Sequence, residues 1–130
     1  MIYTIKTKRP QEFIDVTGMI SDAVSKSSVQ NGIAAIFVPH TTAGITINEN
    51  ADPNVVRDIL NSLNKTYPVE GDYMHSEGNS HAHIKASLMG SSCMVLIRDG
   101  SLVLGTWQGI YFCEFDGPRN RKLFVKIIKD

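Results

Sequence analysis

The sequence predicts an α+β fold: one domain of mostly antiparallel or mixed β-sheet, about seven strands, with two or three helices on one side of it. Three observations carry this. Apolar residues recur with period two, or as short continuous runs, through several stretches of strand length. Two other stretches carry them at helical spacing. Asp99-Gly100, set between two strand-like runs, is a strong two-residue hairpin signal. The 130 residues suffice for one core, and no repeat or linker divides residues 1–130 into more than a single domain.

Residues 2–7 set Ile2, Thr4 and Lys6 against Tyr3, Ile5 and Thr7, a half-buried strand that Pro10 ends. Asp15 caps the next segment, a helix on the spacing of Val16, Met19, Ile20, Ala23 and Val24, which Asn31-Gly32 breaks. Residues 32–38 are continuously apolar and read as a central strand buried on both faces. Ala34, Ile36, Val38 and His40 share one side, so His40 ends a rigid strand and points with the core face. After a turn, residues 44–49 resume as a strand with Thr46 and Asn48 on one side and Ile45, Ile47 and Glu49 on the other. Asp52 before Pro53 starts a helix with the stripe Val55, Val56, Ile59, Leu60 and Leu63; it frays near Asn64, and Pro68 prevents its continuation. Residues 66–80 form a polar loop of a length that usually marks function or mobility. Ser80 then caps a short helix with Ile84 and Leu88 one turn apart and Gly90 as its stop. A strand is the alternative there, and only in a strand do His81 and His83 share a face. The last third reads as strands over residues 92–98, 101–104, 110–115 and 123–128.

Composition narrows the function. Hydrophobic content of 42% and charged content of 20% fit a soluble globular protein. Thirteen basic residues balance thirteen acidic ones and no basic block appears, which argues against nucleic acid as a partner. No apolar run approaches the ~18–20 residues of a membrane helix, and the opening MIYTIKTKRP lacks the apolar core of a signal peptide. Cys93 and Cys113 have no CxxC spacing and read as buried small hydrophobes in a reducing compartment. The expectation is a cytoplasmic protein.

The four histidines concentrate at two places. His75, His81 and His83 sit within nine residues, in HSEGNSHAH, and His40 opens HTTAGITINENAD. Imidazole is the commonest neutral metal ligand, and three imidazoles with one open position are a common catalytic zinc arrangement. His40, His75 and His83 are the candidate metal ligands; solvated loop histidines are the plainer reading. Glu49, Asp52, Glu77 and Glu114 are carboxylates able to orient a ligating histidine or move protons. Of these, Asp52 also has the simpler role of helix cap, and Glu114, in phase with Ile110 and Phe112, must have a partner if it faces the core. Thr41, Thr42 and Gly44 offer hydroxyls and flexible backbone to a phosphate without forming a P-loop. Arg119 and Arg121 are bidentate donors for an anion. In GTWQG, Trp107 can stack on a planar ring and Gln108 can read its edge; core packing is the alternative for Trp107.

Three segments, HTTAGITINENADPNVVRDI, HSEGNSHAHIKASLMGSS and LVLGTWQGIYFCEFDGPR, together resemble the YjbQ family, and the resemblance runs over essentially the whole chain. It is a set of small bacterial and archaeal proteins described as secondary thiamine-phosphate synthases. The resemblance implies an α+β homotrimer with sites near subunit boundaries. Its pattern carries histidine at His40, His75 and His83, whereas His81 falls where other members can have a different polar residue. Asn48, Glu49, Asp52, Trp107, Gln108 and Glu114 also match its motif positions.

The implied reaction joins hydroxymethylpyrimidine diphosphate to thiazole phosphate, giving thiamine phosphate and releasing pyrophosphate. On that expectation Trp107, Gln108 and Asn48 hold substrate, Thr41, Thr42 and Arg119 hold phosphate, and Glu49, Asp52 and Glu114 are the catalytic carboxylates. A divalent metal would neutralise developing charge. Zinc suits imidazole ligands and magnesium suits a diphosphate. Two alternatives remain open: a metal-dependent hydrolase of a small phosphorylated or heterocyclic compound, and a trimeric ligand-binding protein without turnover.

Overall fold

The two ends of the chain meet in a sheet. In a computed structural model describing residues 1–130, β1 (Ile2–Lys6) pairs antiparallel with β8 (Asn120–Lys129). On its other side, from Phe124 to Lys129, β8 pairs with β3 (Gly32–Phe37). β5 (Ser92–Arg98) and β6 (Ser101–Leu102) complete a five-stranded sheet in the order β1-β8-β3-β5-β6. Asp99 and Gly100 turn the β5–β6 hairpin with φ of 52° and 76°, the conformation a type I′ turn demands and Asp-Gly tolerates. A second sheet, β2-β7-β4, consists of β2 (Glu12–Asp15), β7 (Gln108–Glu114) and β4 (Ala43–Glu49). Both sheets are antiparallel throughout.

The inner faces of the sheets and one helix make the main core. Ile36, Val95 and Val125 from the large sheet meet Ile45, Ile110 and Phe112 from the small one, and α1 (Thr17–Ser27) adds Ile20, Ala23 and Val24. On the opposite face of β7, Tyr111 and Cys113 are covered by α2 (Pro53–Thr66) and α3 (Ser80–Met89). The helices therefore do not share one side of one sheet. α1 plugs the space between two sheets, and only α2 and α3 form an outer layer.

Four further expectations are corrected. β2 is an eighth strand: its four residues, three half-buried and Asp15 exposed, owe their conformation to pairing with β7, Phe13 opposite Cys113, rather than to local pattern. β3 is buried on one face only, since Phe37 remains 48% exposed. Val16, not Asp15, occupies the cap position of α1, although Asp15 Oδ1 accepts from Thr17 N at 2.9 Å. Asn79, not Ser80, occupies the cap position of α3; the helix itself is as expected over residues 80–89, with Gly90 closing it at φ 93°, so His81 and His83 diverge. No helix is long and apolar enough to cross a membrane.

One close approach fixes α3 on β4. A Cβ added at Gly44 would lie 2.8 Å from Gly90 O and 3.0 Å from Met89 Cβ, so glycine alone lets the helix end press onto the strand. Gly44→Ala is expected to lower stability by about 1–3 kcal/mol through overpacking. An unchanged urea midpoint for this variant would show that the helix end can yield.

Candidate functional site

The chain leaves β3 through residues 38–42, which bring His40 beside the C-terminal half of α3. A cavity of about 470 Å³ is lined there by His40, Thr41, His83, Ser87, Gly90 and Ser91, among others. His83 also borders a neighbouring cavity of about 550 Å³, together with Asp72, Tyr73, His75 and Ser80. The rings of His75 and His83 meet edge to face, with centroids 5.3 Å apart. His75 Nε2 lies 3.8 Å from Glu77 Oε2 across an exposed pair. Thus His83 is common to both cavities, His75 stands on one side of it, and His40 on the other. His81 points away, buried, with Nδ1 2.8 Å from Lys85 Nζ.

Three imidazoles around one ion do not fit this chain taken singly. No group of three His, Cys, Asp or Glu side chains is gathered so that it could hold a metal. The His40 Nε2 lone pair accepts the backbone N–H of Lys122 at 2.9 Å. Only His75 and His83 remain as a pair of nitrogen donors.

Of the predicted carboxylates, two have structural work. Asp52 caps α2, its Oδ1 accepting from Asn54 N at 2.9 Å; such a cap contributes about 1 kcal/mol. Glu114 is fully buried and paired with Arg121: Arg121 Nε donates to Glu114 Oε2 at 2.8 Å, and Arg121 Nη2 donates to Glu114 Oε1. Thr7 Oγ1 donates to Oε2 at 2.9 Å and Asp116 N to Oε1 at 3.0 Å. Burial works to raise the Glu114 pKa, but the hydrogen bonds from Arg121 and Asp116 outweigh it and hold the carboxyl below its usual range. A carboxylate so saturated is not free to move protons, which revises the catalytic expectation for Glu114. Thr42 is revised with it: its hydroxyl is buried beside the ion pair, Oγ1 accepting from Arg121 Nη2 at 2.8 Å, and it does not line the histidine cleft. Arg119 is half-exposed and donates to Asp116, through Nε to the backbone O at 2.9 Å and through Nη2 to Oδ2 at 3.1 Å.

The remaining candidates lie elsewhere. Glu49 is opposite Gln108 and Asn48 opposite Gly109, where β4 ends and β7 begins. Trp107 stands 62% exposed on the adjoining turn, which excludes core packing. Its carbonyl accepts from Asn50 N at 3.0 Å, Gln108 Oε1 accepts from Gly105 N at 2.8 Å, and Asn48 Oδ1 accepts from Glu49 N at 2.7 Å. Asn50 Nδ2 donates to Asp15 Oδ2 at 3.1 Å, and a Cβ at Gly109 would collide with the Asn50 side chain. Asn50 escaped the sequence reading, as did the role of Asp15 as its acceptor, since nothing local marks a side chain braced from another strand. β4 runs from the histidine end to the tryptophan end over seven residues, roughly 20 Å at strand rise. Within one chain the predicted site is two half-sites.

Two antiparallel sheets, an outer helical layer and a histidine-lined cleft beside β4 define a class of small α+β proteins. The chain belongs to the UPF0047, YjbQ-like family, whose model matches residues 1–130. It is 58% identical to a UPF0047 protein of Methanocaldococcus jannaschii, over 98% of this chain and 93% of that one. It is 50% identical to the UPF0047 protein YugU of Bacillus subtilis, over 95% of each. Among solved structures, an uncharacterised conserved YjbQ/UPF0047 protein from Clostridium acetobutylicum superposes with a TM-score of 0.97 at 64% identity, covering 98% of this chain and 99% of that one. A hypothetical protein from Aeropyrum pernix superposes at 0.94 with 35% identity, covering 100% and 98%.

Proposed function

We propose that the chain is a transferase acting on small phosphorylated heterocycles, working as a homotrimer in which the histidine cleft of one protomer meets the Trp107 turn of the next. The observation that carries this reading is the separation of the half-sites along β4. Donors suited to a phosphate gather at one end, and an exposed indole with Gln108 and Glu49 stands at the other. A closed ring of copies joins head to tail without further symmetry. The outer face of the five-stranded sheet supports self-association: Ile2, Phe37, Met94, Leu96, Phe124 and Ile128 are all exposed there, beside a groove of about 910 Å³. Monomers rarely leave so continuous an apolar face in water.

The reaction proposed is the joining of hydroxymethylpyrimidine diphosphate to thiazole phosphate, with release of pyrophosphate. As the diphosphate leaves, positive charge builds on the pyrimidine-bearing carbon until the thiazole nitrogen attacks. An indole face tolerates that charge, and hydrogen-bond donors at the cleft stabilise the departing anion. With two free thiols, the reading is of a cytoplasmic enzyme.

The test mixes two inactive variants. His83→Ala and Trp107→Ala, each alone, are expected to lose thiamine-phosphate formation. Refolded together in equal amounts, they should regain about one intact site in four, as random assembly of a shared site requires. Wild-type protein that forms no thiamine phosphate from the two precursors removes the reaction. An active wild type with no recovery on mixing removes the shared site.

The adjacent rings of His75 and His83 favour a second reading, a metal-dependent hydrolase of a similar substrate. Pyrophosphate release without thiazole phosphate, abolished by chelation, would select it.

A further inference from the structure

His40 is fixed by a gap in the sheet. Beyond the pair Phe37–Phe124, β3 has turned away, and residues 120–123 of β8 keep a strand partner only on the β1 side. The backbone N–H of Lys122 would otherwise face no acceptor. The His40 ring fills the missing place, and its Nε2 accepts that N–H at 2.9 Å. A nitrogen that accepts carries no proton, so the neutral ring must bear its proton on Nδ1. The doubly protonated ring could not accept at all. In this arrangement neither ring nitrogen offers a lone pair to a metal. What His40 offers is one N–H.

Its surroundings suit an anion. The cavity that His40 lines also has Thr41, His83 and Ser91 on its walls, and Ser87, whose hydroxyl already donates to His83 O at 2.9 Å. No carboxylate lines it.

We infer that His40 binds the oxyanion of a phosphoryl group as a neutral Nδ1–H donor, and that it is a phosphate-binding residue rather than a metal ligand. The inference rests on the proposed reading of a phosphorylated substrate and deepens it by naming the group that the cleft receives. It is in keeping with the separation of His40 from His75 within one chain, where the three rings gather around no common point.

Two substitutions separate the nitrogens. His40→Gln places an amide oxygen near Nε2, keeping the acceptor for Lys122 while losing the Nδ1–H donor. His40→Asn does the reverse. With inorganic pyrophosphate as the probe, His40→Gln is expected to weaken binding roughly 10- to 100-fold with an unchanged Tm, as loss of a hydrogen bond to a charged group requires. His40→Asn should bind within about threefold of wild type and melt earlier, since a backbone donor is left without its acceptor. Nitrogen-15 spectra of the histidines should show His40 as the Nδ1–H tautomer, shifting with pyrophosphate and unmoved by zinc.

Zinc coordination at His40, equal pyrophosphate affinity in His40→Gln, or no pyrophosphate binding by wild type would each overturn the inference. The synthase reading fails on a different readout. It is lost if wild type forms no thiamine phosphate, whichever way His40 behaves toward pyrophosphate.

Discussion

Replacing Arg121 with methionine is expected to destabilise the protein by about 3–5 kcal/mol, the cost of leaving a buried charge without its partner. Glu114 is wholly enclosed, and Arg121 supplies two of the donors that satisfy it. The guanidinium also donates to Thr42 Oγ1 and, at 3.3 Å, to Thr42 O, joining β8 to the segment that enters β4. Losing it therefore strands a carboxylate and loosens the base of the histidine cleft. The double variant Glu114→Leu, Arg121→Met should recover most of the loss, because two apolar groups have no charge to solvate. Urea unfolding of wild type and the two variants measures this. A single Arg121→Met change within about 1 kcal/mol of wild type would mean that water reaches Glu114.

The same pair fixes an acid limit. The folded Glu114 pKa lies below its unfolded value, so its stabilisation is present above the ordinary glutamate range and is lost as pH falls through the lowered folded value. Wild type should lose stability on acidification below about pH 4, near the reference glutamate value. In Arg121→Met the desolvated carboxyl titrates higher instead, so acid should stabilise that variant.

The fold was legible where local chemistry decides structure. Asp52-Pro53 starts α2, and Asp99-Gly100 turns the hairpin, because a cap and a positive φ are demands on one or two residues. β2 was not legible, since Glu12–Asp15 is a strand only by virtue of β7 beside it. The site was legible in its residue types but not in its distances. Nothing in the order of His40 and Trp107 says that β4 holds their neighbourhoods at opposite ends. Glu114 shows a related limit: its phase announced a buried carboxylate, but its partner came seven residues later, across the turn into β8. The resemblance to a family supplied residues at motif positions without saying which hold substrate and which hold the fold. Asp52, as a helix cap, and Glu114, in its buried pair, hold the fold.

α3 gives the sharpest reversal and a second large effect. Ile84 and Leu88 suggested the buried face, yet Leu88 is 54% exposed, and the buried positions are His81, Ala82, Lys85 and Ala86. Lys85 is 0% exposed. Its Nζ donates to Asn64 Oδ1 at 2.6 Å and Gln11 Oε1 at 3.4 Å, and lies 2.8 Å from His81 Nδ1, so one ammonium ties α3 to α2 and to the segment before β2. Lys85→Ala is expected to cost about 2–5 kcal/mol, through the lost stem and the unpaired acceptors. Lys85→Met keeps the stem and should cost less.

The two variants differ from wild type in pH dependence as well as in magnitude. Burial lowers the Lys85 pKa to about 8, so between pH 8 and the ordinary lysine range the unfolded chain holds the extra proton. Lys85 thus contributes stability that grows as pH rises through that window. The thiols of Cys93 and Cys113 act oppositely: burial raises both, Cys93 to about 11, so the unfolded chain ionises first and stability falls above the ordinary thiol range. Both variants retain those thiols, so the informative quantity is wild type minus Lys85→Met. That difference should move in favour of wild type from pH 7 to 9.5 in urea unfolding. A difference independent of pH would mean that Lys85 stays fully charged in its enclosure, held by Asn64, Gln11 and His81 more strongly than burial opposes it.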